Sequence, residues 1–246
     1  MLNRLANPAA FMRMSGVLLP VVAAAAAVVG AVGLYLAWFV APPDYQQGET
    51  VRIMFVHVPA AWLAMFFYAT MAVAALGTLV WRHPLADVAA RAAAPVGAAF
   101  AAICLVTGSL WGKPMWGTYW VWDARLTSML VLFLMYCGIL ALWRAMDDPG
   151  RAARAVAVLT LVGAANLPVV KFSVDWWSTL HQGASVLRFG GPAIHPTILV
   201  PLLVMAGAFT LLGIALHLSG MRTEILRRRV RSLRLLAAER AERGLA

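Results

Sequence analysis

The chain has 246 residues, 63% of them apolar and only 12% charged, and carries a formal net charge of +10. A mean hydropathy of +0.80 excludes a soluble domain and points to an all-α integral membrane protein. Its two cysteines, Cys104 and Cys137, stand in apolar stretches with no C-x-x-C or C-x-x-C-H spacing. That excludes a thiol–disulfide carrier and a c-type cytochrome.

A hydrocarbon core about 30 Å thick needs roughly 20 apolar residues per helix. Six stretches qualify, at residues 17–39, 59–81, 92–110, 126–143, 155–172 and 197–218. The first is longer than the roughly 7–15 residues of a secretory apolar region, so it reads as a retained anchor. Runs of small residues at 23–27 and 89–94 permit close helix contact. Between the spans the cations are unevenly placed. Arg4, Arg13, Arg82, Arg91, Arg144, Arg151, Arg154 and the eight Arg from Arg222 to Arg243 fall on one side, fifteen of the twenty Lys and Arg. Arg52, Lys113, Arg125, Lys171 and Arg188 fall on the other. The positive-inside rule then predicts six transmembrane helices with a cytoplasmic N-terminus and C-terminus, and Trp-rich loops facing outward.

Residues 1–221 thus form a six-helix transmembrane unit and residues 222–246 a basic tail. The tail holds eight Arg against three Glu, half of the net charge, and places Leu226, Val230 and Leu233 at i, i+4 and i+7. This predicts a basic amphipathic helix on the anionic inner leaflet of the lipid bilayer, with docking to a soluble partner as the other reading. Charge so placed calls for no nucleic acid.

The stretch 111–128, W-G-K-P-M-W-G-T-Y-W-V-W-D-A-R-L-T-S, packs four Trp and one Tyr into twelve positions. Interfacial aromatics usually stand singly at helix ends, so this density asks for a flat ligand. Trp116, Tyr119 and Trp120, at i, i+3 and i+4, share one face if the loop is helical, and Trp122 then points elsewhere. Asp123 either caps the fourth span or orients a ligated imidazole.

Topology sorts the five histidines. His83 and His217 fall on the cytoplasmic side, where solvation or snorkelling accounts for them. His57, in F-V-H-V-P-A-A-W, stands two residues before Pro59 and marks the mouth of the second span, as a cap or as a ligand. His181, in S-V-D-W-W-S-T-L-H-Q-G, has Trp177 four residues upstream, on a shared face if helical. Two imidazoles opposed across an aromatic platform suit a haem iron bound on both faces. Arg52 and Arg125, at the outer ends of the second and fourth spans, are placed to clamp its propionates. His195, in G-G-P-A-I-H-P-T, reads as a turn residue at the start of the sixth span, with a third ligand as the other reading.

W-G-T-Y-W-V-W-D-A-R-L-T-S resembles the tryptophan-rich signature of haem-handling proteins in cytochrome c biogenesis, and the two His segments resemble that superfamily's outward His segments. Length, six spans and His-Trp-His order resemble the haem exporter protein C family of the bacterial System I maturation pathway. Tyr119 stands where the family commonly has Trp, and a phenol still stacks. The resemblance implies an outward-facing site for haem b (iron protoporphyrin IX) with His57 and His181 as axial ligands. Its platform is formed by Trp116, Gly117, Tyr119, Trp120, Trp122 and Asp123, flanked by Trp111, Trp176 and Trp177. It also implies a bacterial inner-membrane location and, as partners, an ABC ATPase and permease subunits, a small single-span membrane subunit and a periplasmic haem chaperone. No phosphate-binding G-x-x-x-x-G-K-[ST] loop is present, so ATP hydrolysis belongs to another chain. The expected role is haem transport and handling, without catalysis. Two other readings compete: a haem lyase, which predicts more spans and a cytochrome-docking domain, and an ABC permease subunit without its own haem site.

Overall fold

The computed structural model describes residues 7–183, 185–186, 188–242 and 244. Arg4 and Arg243, counted in the charge bias, lie outside the described residues. Among the described residues seven α-helices follow one another: α1 Pro8–Tyr35, α2 Met54–Leu79, α3 Ala86–Trp116, α4 Ala124–Ala145, α5 Pro149–Ala164, α6 Asn166–Trp176 and α7 Pro196–Glu242. A π-helical turn, Leu36–Val40, extends α1, and a 3-10 turn, Glu49–Ile53, leads into α2. Six helical stretches among the described residues are long and apolar enough to cross a membrane, α5 and α6 together making the fifth. The protein is a multi-pass membrane protein. In lipid every backbone amide must find its partner within the segment, which leaves the helix as the answer to each apolar run.

Local chemistry sets the helix ends. Asn7 accepts a bond from the Ala9 amide at 2.8 Å ahead of Pro8, and Asp148 accepts one from Arg151 at 2.7 Å ahead of Pro149. Both are side-chain caps followed by proline in the first turn, where its missing N–H costs nothing. Asp123 caps α4 in the same way, accepting from the Leu126 amide at 2.7 Å. Helix α3 stops at Gly117, whose φ of +77° is the left-handed conformation glycine adopts without strain.

Helix α2 packs along α3 and also against α5 and α7, so the core is built around the α2–α3 pair. Tyr68 and Tyr136 are fully buried there, rings edge to face at 5.1 Å, and the Tyr136 hydroxyl donates to the Ala64 carbonyl at 2.8 Å. Of the two alanine runs only the second does the expected work. Ala93 and Ala94 are fully buried, whereas Ala23, Ala24 and Ala27 on α1 are exposed, because α1 packs chiefly on α7.

Several helices outrun the apolar stretches that marked them. The longest difference is α7, where the sixth span and the basic segment are one uninterrupted helix of 47 residues. At 1.5 Å per residue it is about 70 Å long, more than twice the hydrocarbon core. Residues 222–242 are thus part of the same helix as the sixth span, and not a separate helix. Buried Glu224 pairs there with Arg227 at 2.8 Å, Arg228 at 2.9 Å and, across to α3, Arg91 at 3.4 Å. Arg228 also meets Asp87 of α3 at 2.7 Å.

Candidate functional site

Opposite this basic end, the termini of α2, α3, α4 and α6 converge with the segment around residue 181. His57 lies inside the first turn of α2, since that helix begins at Met54 rather than near Pro59. Its Nδ1 is 3.0 Å from the Cys104 carbonyl and 3.1 Å from the Thr107 hydroxyl. A carbonyl only accepts, so Nδ1 carries the proton and Nε2 keeps a free lone pair. Trp111 stands edge-on to the imidazole at 5.7 Å, held by donation of its indole N–H to the Gln47 side chain at 3.1 Å.

His181 is built differently. Helix α6 ends at Trp176 and Trp177 is extended, so Trp177 and His181 do not share a helical face. The ring that meets His181 comes from the other loop: Trp116 lies edge to face with it at 4.9 Å. The Asp123 carboxylate completes the setting. One oxygen caps α4, and the other lies 3.6 Å from His181 Nδ1, slightly beyond a hydrogen bond. Both of these facing atoms are buried and lack any other partner. Burial is the largest influence on the imidazole and pushes its pKa below the ordinary value, against the pull of Asp123 and with the help of Arg125. Burial thus favours the neutral imidazole, the form that binds metals.

The two imidazoles line one cavity of about 460 Å³ together with Trp111, Trp116, Arg125 and Lys171. Its size is that of a small-molecule or cofactor site. A smaller annex of about 70 Å³ shares His57, Arg125 and His181 with it and is lined by Trp120, whose indole N–H is buried without a partner. Arg125 is fixed by donation to the Ser173 hydroxyl at 2.9 Å. Among the described residues no three or more His, Cys, Asp and Glu gather around one point.

The rest of the expected platform is dispersed. Trp116, Tyr119 and Trp120 do not form a helical stripe, because Gly117 turns the chain immediately after Trp116. Tyr119, Trp122, Trp176 and Trp177 are 55%, 75%, 55% and 51% exposed and lie outside the cavity lining. Arg52 is engaged elsewhere, paired with Glu49 and donating to the Ala37 and Trp38 carbonyls at the end of the first span. His195 bonds Thr197 at 2.8 Å at the start of α7. His217 is packed against Phe67 with its Nδ1 unpartnered, so solvation does not account for it. Sequence reasoning missed Lys171 as a cavity residue. It stands four positions before Asp175, which also lines the cavity, and that spacing on one helix face was the available signal.

The family profile described as "Heme exporter protein C" matches residues 1–236. A heme exporter protein C of Bradyrhizobium diazoefficiens is 66% identical over 236 residues, which is 96% of this chain and 89% of the relative. One of Escherichia coli K12 is 49% identical, covering 92% of this chain and 91% of the relative. A third, of Paracoccus denitrificans, is 47% identical, covering 93% and 95%.

Proposed function

The chain belongs to the heme exporter protein C family, and on that premise we propose that it holds haem b between His57 and His181 and presents it for cytochrome c biogenesis. The observation that carries this reading is that both imidazoles line one cavity and the Nδ1 of each faces an oxygen, the Cys104 carbonyl at 3.0 Å for His57 and the Asp123 carboxylate at 3.6 Å for His181. A histidine ligates through one nitrogen while the other is oriented by a carbonyl or carboxylate. Nε2 of each ring is then the ligating atom. Trp111 and Trp116, packed on the two imidazoles, would flank the porphyrin, Trp120 lines the annex, and Arg125 would meet a propionate. Gly117 and Asp123 shape the loop, and exposed Tyr119, Trp122, Trp176 and Trp177 surround the mouth.

The haem-binding residues lie at the end of the bundle that bears fewer cations, so the positive-inside rule places them on the periplasmic face of a bacterial inner membrane. Presentation to a periplasmic haem chaperone follows from that placement. The transmembrane unit of residues 1–221 is the haem-handling part, and residues 222–246 form a basic arm on the cytoplasmic side. ABC ATPase and permease subunits and a small single-span subunit complete the assembly, and the chain itself performs no bond chemistry.

The test is the visible spectrum of detergent-purified protein produced with ample haem. Wild type is expected to show a six-coordinate low-spin Soret band that His57→Ala and His181→Ala each convert or abolish. Colourless wild-type protein would overturn the assignment.

A further inference from the structure

The cavity is lined by two cations, Arg125 at the start of α4 and Lys171 on α6. They are neighbours: the Arg125 guanidinium approaches the Lys171 carbonyl at 3.4 Å. Among the described residues Lys171 forms no ion pair, its side chain is exposed, and α6 carries it on the face that Val174 and Asp175 also turn to the cavity. Arg52, by contrast, spends its guanidinium on Glu49 and two backbone carbonyls and does not line the cavity. An ammonium that faces a binding cavity without a protein partner is matched to an anionic group on the ligand.

We propose that Lys171 is the second carboxylate anchor of this site, paired with Arg125, and that the site selects porphyrins by their free propionates as well as by iron ligation. The inference rests on the haem reading above. Arg125 supplies a planar fork fixed by Ser173, and Lys171 a flexible point charge beside it, so one propionate is held rigidly and the other loosely. Asp175, one turn farther along α6, adds a negative charge to the same lining. It repels a carboxylate there and so confines the propionates to the Arg125–Lys171 edge.

The experiment compares haem with haem dimethyl ester, which keeps the iron and the ring but carries no charge at the propionate edge. Both are titrated into wild type and Lys171→Met in detergent, with the low-spin Soret band as the readout. Wild type is expected to bind haem more tightly than the diester. In Lys171→Met the affinity for haem falls about twofold to fivefold, the upper part of the range for one exposed ion pair, while the affinity for the diester is unchanged. Lys171→Arg retains the preference. An unchanged preference in Lys171→Met, with haem still bound, would overturn the role of Lys171 and leave the axial histidines standing. An equal loss for both ligands would show a structural role and overturn it as well. Absence of a low-spin haem band in wild type would overturn the haem reading and this inference together.

Discussion

The imidazole of His57 lies directly against Gly108 of α3: a Cβ at that position would stand 2.8 Å from His57 Cε1. That is too short for two carbons that are not bonded, so the ring holds its place only because residue 108 has no side chain. Helix α3 meanwhile supplies the Cys104 carbonyl and Thr107 hydroxyl that orient the same ring.

Gly108→Ala is therefore expected to remove His57 from coordination while leaving the fold intact. Alanine is the better helix former by about 1 kcal/mol, so thermal stability does not fall. The expected signature is conversion of a six-coordinate to a five-coordinate haem spectrum at an unchanged melting temperature. A low-spin spectrum equal to wild type would contradict it.

Asp123 performs two tasks, and two substitutions separate them. Asparagine caps a helix about as well as aspartate, so Asp123→Asn keeps α4 stable and loses only the carboxylate facing His181. Loss of such an outer-shell partner typically weakens a metal site by about 10–100-fold. Asp123→Ala should show the same loss of haem affinity plus about 1 kcal/mol of destabilisation from the missing cap. Thermal melts beside haem titrations distinguish the two.

The tryptophans are expected to divide by exposure rather than by their place in the motif. Trp116 packs on His181 at 4.9 Å, so Trp116→Ala should weaken haem retention about tenfold. Trp122 is 75% exposed, and Trp122→Ala should leave the haem spectrum of the isolated protein unchanged. Its effect is expected only in transfer of haem to an acceptor protein, measured by loss of the bound haem spectrum on mixing.

At the other end of the molecule, Glu224→Gln should destabilise the bundle without touching the site. The carboxylate is 4% exposed and is shared by Arg91, Arg227 and Arg228. Removing one partner of a buried ionic group costs about 3 kcal/mol, here because Arg91 and Arg227 lose the one carboxylate they pair with among the described residues, while Arg228 keeps Asp87. A lower melting temperature with an unaltered low-spin spectrum is the expected result.

Much of this was readable in the amino-acid order. Apolar run length determined six membrane-crossing helices, and the spacing of Lys and Arg determined which loops lie together, whereas the starts of α1 at Pro8 and α5 at Pro149, ahead of the apolar runs at 17–39 and 155–172, came only with the structure. The residue types around 57, 111–128 and 181 pointed to one site for a flat, iron-bearing ligand. Membership of a family followed from the same motifs.

What chain order does not contain is which side chains meet across helices. Trp177 is four residues from His181, yet Trp116, sixty-five residues away, packs on it, because α6 ends one residue before Trp177. Arg52 and Lys171 both stood among the same-side cations, and only the packing of α6 beside α4 turns Lys171 into the cavity while Arg52 is consumed at the end of the first span. Helix formation is decided by local bonds within a segment, so sequence determines it. Cavity lining depends on the relative rotation and depth of several helices, which close packing among distant residues such as Gly108 and His57 decides.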